Sequence, residues 1–279
     1  MPAFNTFTDR VAVVTGGASG LGKGIAQCLI EEGMRVFIAD VEEPALSRTA
    51  AEIGATGVRA DVSDWTSMQS LARTVRDRAG AVHVVCNNAG VGSMGRIAEL
   101  SIDDWRWMLG VNLWGVIHGV QAFLPLLRAN PDGGHIVNTA SIGGLTTMPG
   151  LGAYAVSKYG VVALSETLAQ ELAEDGSRVG VTVLCPGPMR TNIKQSSRNR
   201  PRQPSEARGL VDVDLEKTEF GASVRWLEPR DAGRIVVEAM RRGELYAYTH
   251  PEQLDAVEAR FEAIMAAGGR RARQAGDIR

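Results

Sequence analysis

Apolar positions along this chain fall into two alternating patterns. Short β-branched runs at 10–14 (RVAVV), 35–39 (RVFIA), 57–60, 83–86 (HVVC), 135–139 (HIVNT) and 179–184 (VGVTVL) predict six strands, the first buried on both faces. Longer stretches between them carry apolar residues three or four apart and predict helices at 23–32, 44–53, 65–79, 102–127 and 154–174. In the first helix Ile25, Ala26, Leu29 and Ile30 face inward and Gly33 ends it; Pro44 stands in the first turn of the second. Further on, the pattern predicts a helix over 229–241, a short strand over 244–248 and an amphipathic helix over 251–267 with Leu254, Val257, Phe261 and Ile264 on one side. The tail 268–279 is expected to fray. Residues 195–219 are polar, Arg-rich and aperiodic, which predicts a mobile loop or lid. No internal repeat, linker or second domain is visible, so one α/β domain over 1–279 is expected.

Composition narrows the picture. A net charge of -2 over 279 residues offers no basic surface for nucleic acid or acidic membranes. The three cysteines, Cys28, Cys86 and Cys185, sit in apolar surroundings, as reduced core thiols in a cytoplasmic protein would. Neither they nor the four scattered histidines show metal-ligand spacing, so no metal site is expected. The N-terminus has no apolar signal region, and no stretch of about 18 apolar residues predicts a membrane span.

The first candidate chemistry lies after the first strand. Gly16, Gly20 and Gly22 are spaced G-x-x-x-G-x-G between a strand and a helix. Such a turn has no side chains to block a pyrophosphate, and it leads into a helix N-terminus with free N–H groups. Asp40, at the tip of the second strand, is placed to accept from an adenosine ribose and to repel a 2′-phosphate. The residues after it are Val-Glu-Glu and Ser19 is not basic, so NAD is expected over NADP. Asp40 capping the next helix is the competing reading. Asp61 is placed either to accept from an adenine amino group, with Val62 beside the ring, or to cap the helix at 65–79. Asn87 and Asn88 are expected to tie strand ends together, and the small residues Ala89 and Gly90 let backbone approach a ligand. The run 185–192 makes a stiff floor, its backbone facing a cofactor amide and Thr191 a phosphate.

The second candidate lies within 141–158, SIGGLTTMPGLGAYAVSK. Tyr154 and Lys158, four apart, share one face of a helix. An ammonium that close is expected to lower the Tyr154 pKa from its usual value of about 10. A phenol tuned in this way can exchange a proton with the oxygen of an alcohol or ketone, and Ser141 would reach the same oxygen from a strand end. Asn112, polar within an apolar stripe, is either a core amide bonded to backbone or the mark of a helix break that frees a carbonyl to hold a water.

The motifs TGGASGLG (15–22), Asp61, NNAG (87–90), Asn112, Ser141, YAVSK (154–158) and PGPMRT (186–191) occur in order across residues 10–193, and together they resemble the short-chain dehydrogenase/reductase (SDR) family. The resemblance implies a single Rossmann-fold domain with a doubly wound parallel sheet, helices on both faces, and NAD(P) across the carboxyl ends of the strands. It implies a cofactor site of Gly16, Ser19, Gly20, Leu21, Gly22, Asp40, Val41, Asp61, Val62, Asn88, Ala89, Gly90, Pro186, Gly187, Met189 and Thr191, joined by Tyr154 and Lys158. Tyr154 would be the general acid/base, Lys158 would lower its pKa and bind the nicotinamide ribose, Ser141 would polarise the substrate oxygen and Asn112 would hold a relay water. A homotetramer or homodimer is also implied. Stretches such as GVNLWGVIHG and YTHPE are similar to bacterial dehydrogenases that oxidise the benzylic Cα alcohol of aryl ethers.

The expected pocket lining is Val91, Met94, Ile142, Leu145, Met148, Leu151, Met189 and Ile193, with residues 193–222 as the substrate loop. Apolar and flexible thioether side chains predict an uncharged, bulky secondary alcohol or its ketone. Arg190 is the one basic residue among them. Arg198, Arg200 and Arg202 in the lid would suit an acidic tail, which leaves an NADPH-dependent 3-oxoacyl-thioester reductase as the alternative. A non-catalytic nucleotide sensor would not be expected to keep Tyr154 and Lys158, and a sugar-nucleotide epimerase would need a larger C-terminal domain.

Overall fold

The structure, a computed structural model, describes residues 2–201 and 209–276. The chain divides into two compact units, Met1–Thr249 and His250–Arg279. In the first, seven parallel strands form one sheet: β1 (Val11–Thr15), β2 (Arg35–Asp40), β3 (Thr56–Arg59), β4 (Val84–Asn87), β5 (Gly134–Thr139), β6 (Val179–Cys185) and β7 (Tyr246–Tyr248). Their spatial order is β3-β2-β1-β4-β5-β6-β7. The order reverses between β1 and β4, and there the crossovers leave a crevice at the strands' carboxyl ends.

The helices of this unit are α1 (Gly20–Glu31), α2 (Glu43–Ile53), α3 (Trp65–Ala79), α4 (Ile102–Leu109), α5 (Gly115–Arg128), α6 (Gly152–Glu174), α7 (Glu219–Ser223) and α8 (Pro229–Arg242). Two cores result. Ile25 and Leu29 of α1, Leu46 of α2, and Val236 and Met240 of α8 cover one face of the sheet. Leu71 and Val75 of α3, Phe123 and Leu127 of α5, and Leu168 and Leu172 of α6 cover the other. Each fully buried Leu or Phe contributes about 2 kcal/mol, so the doubly wound α/β fold follows from the strand–helix alternation. Glycine sets the approach of α1 to α8: a Cβ on Gly24 would stand 2.4 Å from the carbonyl of Pro229.

Three regions differ from expectation. The helical pattern at 102–127 is broken by a π-helical turn, Gly110–Trp114, between α4 and α5. There Gly115 N–H reaches back five residues to the carbonyl of Gly110, and a Cβ on Gly115 would come 2.7 Å from Val62. The stretch Ile102–Arg128 is, against expectation, long and apolar enough by length and composition to cross a membrane. The apolar excess arises because its inner side packs on the sheet through Val120, Phe123 and Leu127, while Ile102 and Trp114 stay exposed.

The region expected to be an aperiodic lid has local order on both sides of its tip, although 202–208, including Arg202, lie outside the described residues. A 3-10 stretch runs over Asn192–Asn199, a 3-10 turn over Leu215–Lys217, and α7 follows. Side-chain bonds supply what periodicity does not: Lys194 pairs with Asp214 at 2.9 Å, and Ser93 Oγ and Ser197 N–H both donate to Asp212. In the second unit a 3-10 turn, Pro251–Gln253, leads into α9 (Leu254–Gly276). The helix runs on through 268–276, where the sequence predicts fraying, and 277–279 lie outside the described residues.

Candidate active site

The carboxyl ends of β1 and β4 are laced together before any ligand is considered. Thr15 Oγ1 accepts from Asn88 N–H at 2.9 Å and Ala89 N–H at 3.1 Å, and Asn88 Nδ2 donates to the Thr15 carbonyl at 2.9 Å. Asn87 Nδ2 donates to Asn138 Oδ1 at 2.9 Å, tying β4 to β5. The asparagine pair thus joins strand ends as expected. Above β1, Gly16 has a positive φ, and a Cβ there would sit 2.8 Å from Ala89 Cα. A Cβ on Gly22 would come 2.3 Å from the Gly16 carbonyl, so the turn closes only with glycine. Leu21 lies between, half-buried.

The N-terminus of α1 keeps its anion-binding capacity. Ser19 is its N-cap, but its hydroxyl makes no capping hydrogen bond and no acidic residue stands in the first turn. First-turn N–H groups left without a capping side chain attract an anion. Thr191 faces this turn from the β6 side, 3.1 Å from where a Cβ on Gly20 would be. Pro186, Gly187 and Met189 form the floor: Gly187 N–H donates to Thr249 Oγ1 at 3.0 Å, and Met189 is bridged to Leu227.

The acids are placed differently from one another. Asp40 accepts from Ala18 N–H at 3.2 Å and Glu42 N–H at 3.1 Å, so it fastens the glycine turn to the tip of β2, where Val41 follows. Glu42, not Asp40, is the N-cap of α2. Burial pushes the Asp40 carboxyl above its usual range, against these backbone hydrogen bonds. Asp61 does not cap α3; Asp64 does, accepting from Thr66 N–H at 2.9 Å. Asp61 instead accepts from Ser63 N–H and Oγ, and Val62 is buried beside it.

The four candidate catalytic side chains gather around two glycines. A Cβ on Gly143 would stand 3.3 Å from Tyr154 Cε1 and 3.4 Å from Ser141 Oγ. One on Gly90 would stand 3.3 Å from Asn112 Oδ1 and 3.6 Å from Lys158 Nζ. Lys158 Nζ lies 5.7 Å from the centre of the Tyr154 ring and donates to the Thr139 carbonyl at 2.9 Å. Asn112 is buried and bonded to backbone, and it stands where the helix is interrupted. Its amide grips Val91, Oδ1 accepting from N–H at 2.8 Å and Nδ2 donating to the carbonyl at 2.9 Å, and it does so from the π turn that breaks the helix. Nδ2 also lies 3.2 Å from Ser157 Oγ on α6.

Electrostatics correct one expectation. Burial pushes the Tyr154 phenol up from its usual value, and only the hydrogen bond with Ser141 works the other way. Burial acts on Lys158 as well and brings its pKa down to about 8. Burial likewise pushes the Cys185 thiol, near Lys158, up to about 12. All three cysteines are buried and free.

Among the expected lining residues, Val91 is buried in a small core with Met108, Ala153 and Leu210. Leu145 and Met189 are also buried, Ile142 is half-buried, and Met148 and Ile193 are exposed. Met94 pairs with Val211, and Leu151 with Gly95, so backbone from three separate segments forms the rim. Two lid arginines are committed elsewhere. Arg200 pairs with the buried Asp104 of α4 and lies 5.5 Å from the Trp107 ring; Arg198 bonds Glu42. Arg190 faces Glu216 and Glu228, each at 3.4 Å. These pairings were not visible in the sequence: Glu42 and Arg198 are 156 residues apart. The one local signal was Ser101-x-x-Asp104, a capping box on α4.

The residues fit a dinucleotide. Glycines that tolerate no Cβ, a helix N-terminus without a capping side chain, and a half-buried acid at the β2 tip line the crevice. Among the described residues no group of three or more His, Cys, Asp or Glu is placed to hold a metal.

Comparison with known proteins bears on the same residues. The family model described as short chain dehydrogenase matches residues 10–202. A C alpha-dehydrogenase of Sphingobium sp. strain SYK-6 is 32% identical over 266 residues, 93% of this chain and 86% of that protein. A 1-deoxy-11-beta-hydroxypentalenate dehydrogenase of Streptomyces arenae is 39% identical over 252 residues, 87% of this chain and 83% of that one. The crystal structure of a short chain dehydrogenase/reductase from Burkholderia phymatum in complex with NAD superposes with a TM-score of 0.86 and 37% identity, covering 95% of this chain and 97% of that one.

Proposed function

The chain belongs to the short chain dehydrogenase family, and from that premise we propose that it interconverts a bulky, mostly apolar secondary alcohol and its ketone, using NAD, with Tyr154 as general acid/base. As a family member it is an NAD(P)-dependent oxidoreductase acting on CH–OH groups. The observation that carries the finer reading is the convergence of half-buried Tyr154 and buried Ser141 around Gly143, with buried Lys158 5.7 Å from the phenol ring. We read 1–279 as one dehydrogenase domain, with 193–222 as its substrate loop.

Bound NAD supplies the hydride chemistry. The chain supplies position and the proton path. The glycine turn (Gly16, Ser19, Gly20, Leu21, Gly22) and Thr191 would hold the pyrophosphate; Asp40 and Val41 would hold the adenosine ribose; Asp61 and Val62 the adenine. Asn88, Ala89 and Gly90, with the floor at Pro186, Gly187 and Met189, would border the nicotinamide end, where Lys158 would hold the ribose. Ser141 Oγ donates to the substrate oxygen and fixes it near Tyr154 Oη. The phenol gives its proton to that oxygen in reduction, and the phenolate takes it back in oxidation. Since burial raises the phenol and lowers the ammonium, Lys158 acts by offering positive charge where phenolate charge develops, in a site with little competing solvent. Asn112 holds the Val91 backbone and carries the relay water at the π turn.

NAD is favoured because Asp40, fixed at the tip of β2, would repel a 2′-phosphate on the ribose proposed to lie there. The relative solved with NAD supports this choice. Met94, Ile142, Leu145, Met148, Leu151 and Ile193 suit a mostly apolar substrate, and relatives are named as a C alpha-dehydrogenase and a 1-deoxy-11-beta-hydroxypentalenate dehydrogenase. The 3-oxoacyl-thioester reading is disfavoured because Arg190, Arg198 and Arg200 are already paired with carboxylates. Buried free thiols suit a reducing cytoplasm, and a homodimer or homotetramer is expected. The test is a paired fluorescence titration with NADH and NADPH, followed by turnover on a panel of bulky aryl and alicyclic secondary alcohols. Tighter NADH binding with turnover supports the proposal; preference for NADPH, or turnover only of 3-oxoacyl thioesters, overturns it.

A further inference from the structure

The residues after Thr191 do more than line a substrate pocket. The 3-10 stretch Asn192–Asn199 begins beside the glycine turn, where Thr191 stands against Gly20, and ends at the tip of β2. At that far end Arg198 Nε and one terminal nitrogen reach Glu42 Oε1 at 2.9 and 2.8 Å. Asn199 Nδ2 donates to the same oxygen at 2.8 Å. The other guanidinium nitrogen is held by the carbonyls of Asn192 and Gln195, at 3.1 and 2.7 Å, so the arginine is fixed to its own turn before it reaches across. Glu42 is fixed as well, since its N–H donates to Asp40 at 3.1 Å.

The stretch therefore spans the two points between which the pyrophosphate and adenosine ribose are proposed to lie. It is anchored midway too: Gly92 N–H donates to Ser196 Oγ at 3.0 Å, on the loop after β4. We infer that Glu42, Arg198 and Asn199 form a clasp that closes a strap over the adenosine half of the bound dinucleotide, so that cofactor release requires the clasp to open. This rests on the proposed cofactor site and assigns that site three further positioning residues.

Charge supports the assignment. The Arg198 hydrogen bond holds the Glu42 carboxyl below its usual range, which marks an ionised pair at neutral pH. Both side chains are about one-third exposed, so the pair is open to screening by salt. A charge-assisted fork of this kind is stronger than a neutral contact, but partial exposure keeps it breakable. Such a contact suits a gate that must open in every catalytic cycle, and product-cofactor release is a common rate limit when a loop covers the site.

The experiment is stopped-flow displacement of bound NADH by excess NAD, for wild type, Glu42→Gln, Arg198→Gln and the double variant. Each single variant is expected to release NADH about three- to ten-fold faster, and the double variant no faster than the quicker single one. Rising salt should accelerate release from wild type toward the variant rate and leave the variants nearly unchanged. The charge-swapped pair Glu42→Arg with Arg198→Glu should restore slow release. Release rates equal to wild type in both single variants, with NADH still bound, would overturn the clasp while leaving the cofactor site standing. Additive effects with no rescue by the swap would also overturn it. No NADH binding by wild type would overturn the cofactor reading and the clasp with it.

Discussion

Replacing Lys158 with Met should make the protein more stable at neutral pH while removing its activity. The ammonium is buried, and burial lowers its pKa from 10.5 to about 8. A downward shift of that size means that holding the charged form in the fold costs about 3 kcal/mol relative to the unfolded chain. The unfolded chain keeps this proton up to about 10.5 and the folded chain only up to about 8. Below pH 8 the cost is therefore fully present; it shrinks as pH rises toward 10.5 and is gone above it. Methionine fills similar volume without charge, and the loss is one hydrogen bond, to the Thr139 carbonyl, worth about 1 kcal/mol. The net expectation is a gain of about 2 kcal/mol at pH 7, or a Tm rise of about 4–8 °C. Urea unfolding of both proteins at pH 7, 9 and 10.5 is the assay. The gap should narrow as pH rises. A variant less stable than wild type at pH 7, or a gap independent of pH, would refute the claim that Lys158 is a buried charge kept for function.

Two other substitutions probe separate parts of the site. Asp40→Ala should shift cofactor preference toward NADP by about ten-fold or more, since it removes a charge facing the 2′ position; an unchanged ratio of NADH to NADPH affinity would reduce Asp40 to a fastener for Ala18 and Glu42. Asp104→Ala removes the N3 carboxylate of α4 and the partner of Arg200, and it should cost about 3 kcal/mol in urea unfolding and speed tryptic cleavage after Arg198. Unchanged cleavage would show that the loop is not held at α4.

Much of this site was legible because it lies at strand ends. β1, β2, β4 and β5 each read as a short apolar run, so the residues just past them, Gly16, Asp40, Asn87 and Ser141, had to meet at one edge of a parallel sheet. The helix carrying Tyr154 and Lys158 was equally plain from its period. Long-range side-chain chemistry was not. The strap over 192–199 has no hydrophobic period, and its order comes from polar bonds to Glu42, Gly92 and Asp212, whose positions depend on the finished fold. The Tyr154 pKa was misjudged for a related reason. Spacing placed Lys158 beside the ring, but only the packed interior shows that burial raises the phenol and lowers the ammonium. The Asn112 break was half visible: a polar residue in an apolar stripe flagged the position, while the π turn and the close approach of Gly115 to Val62 show only in the fold.

The central claim is that Tyr154 exchanges the proton at the substrate oxygen while the rest of the crevice holds the dinucleotide. The most direct measurement pairs NADH affinity with turnover in wild type and Tyr154→Phe, on whichever secondary alcohol the wild type oxidises best. The account predicts NADH affinity within about two-fold of wild type and a loss of at least about a hundred-fold in kcat. Near-wild-type kcat in Tyr154→Phe would contradict it.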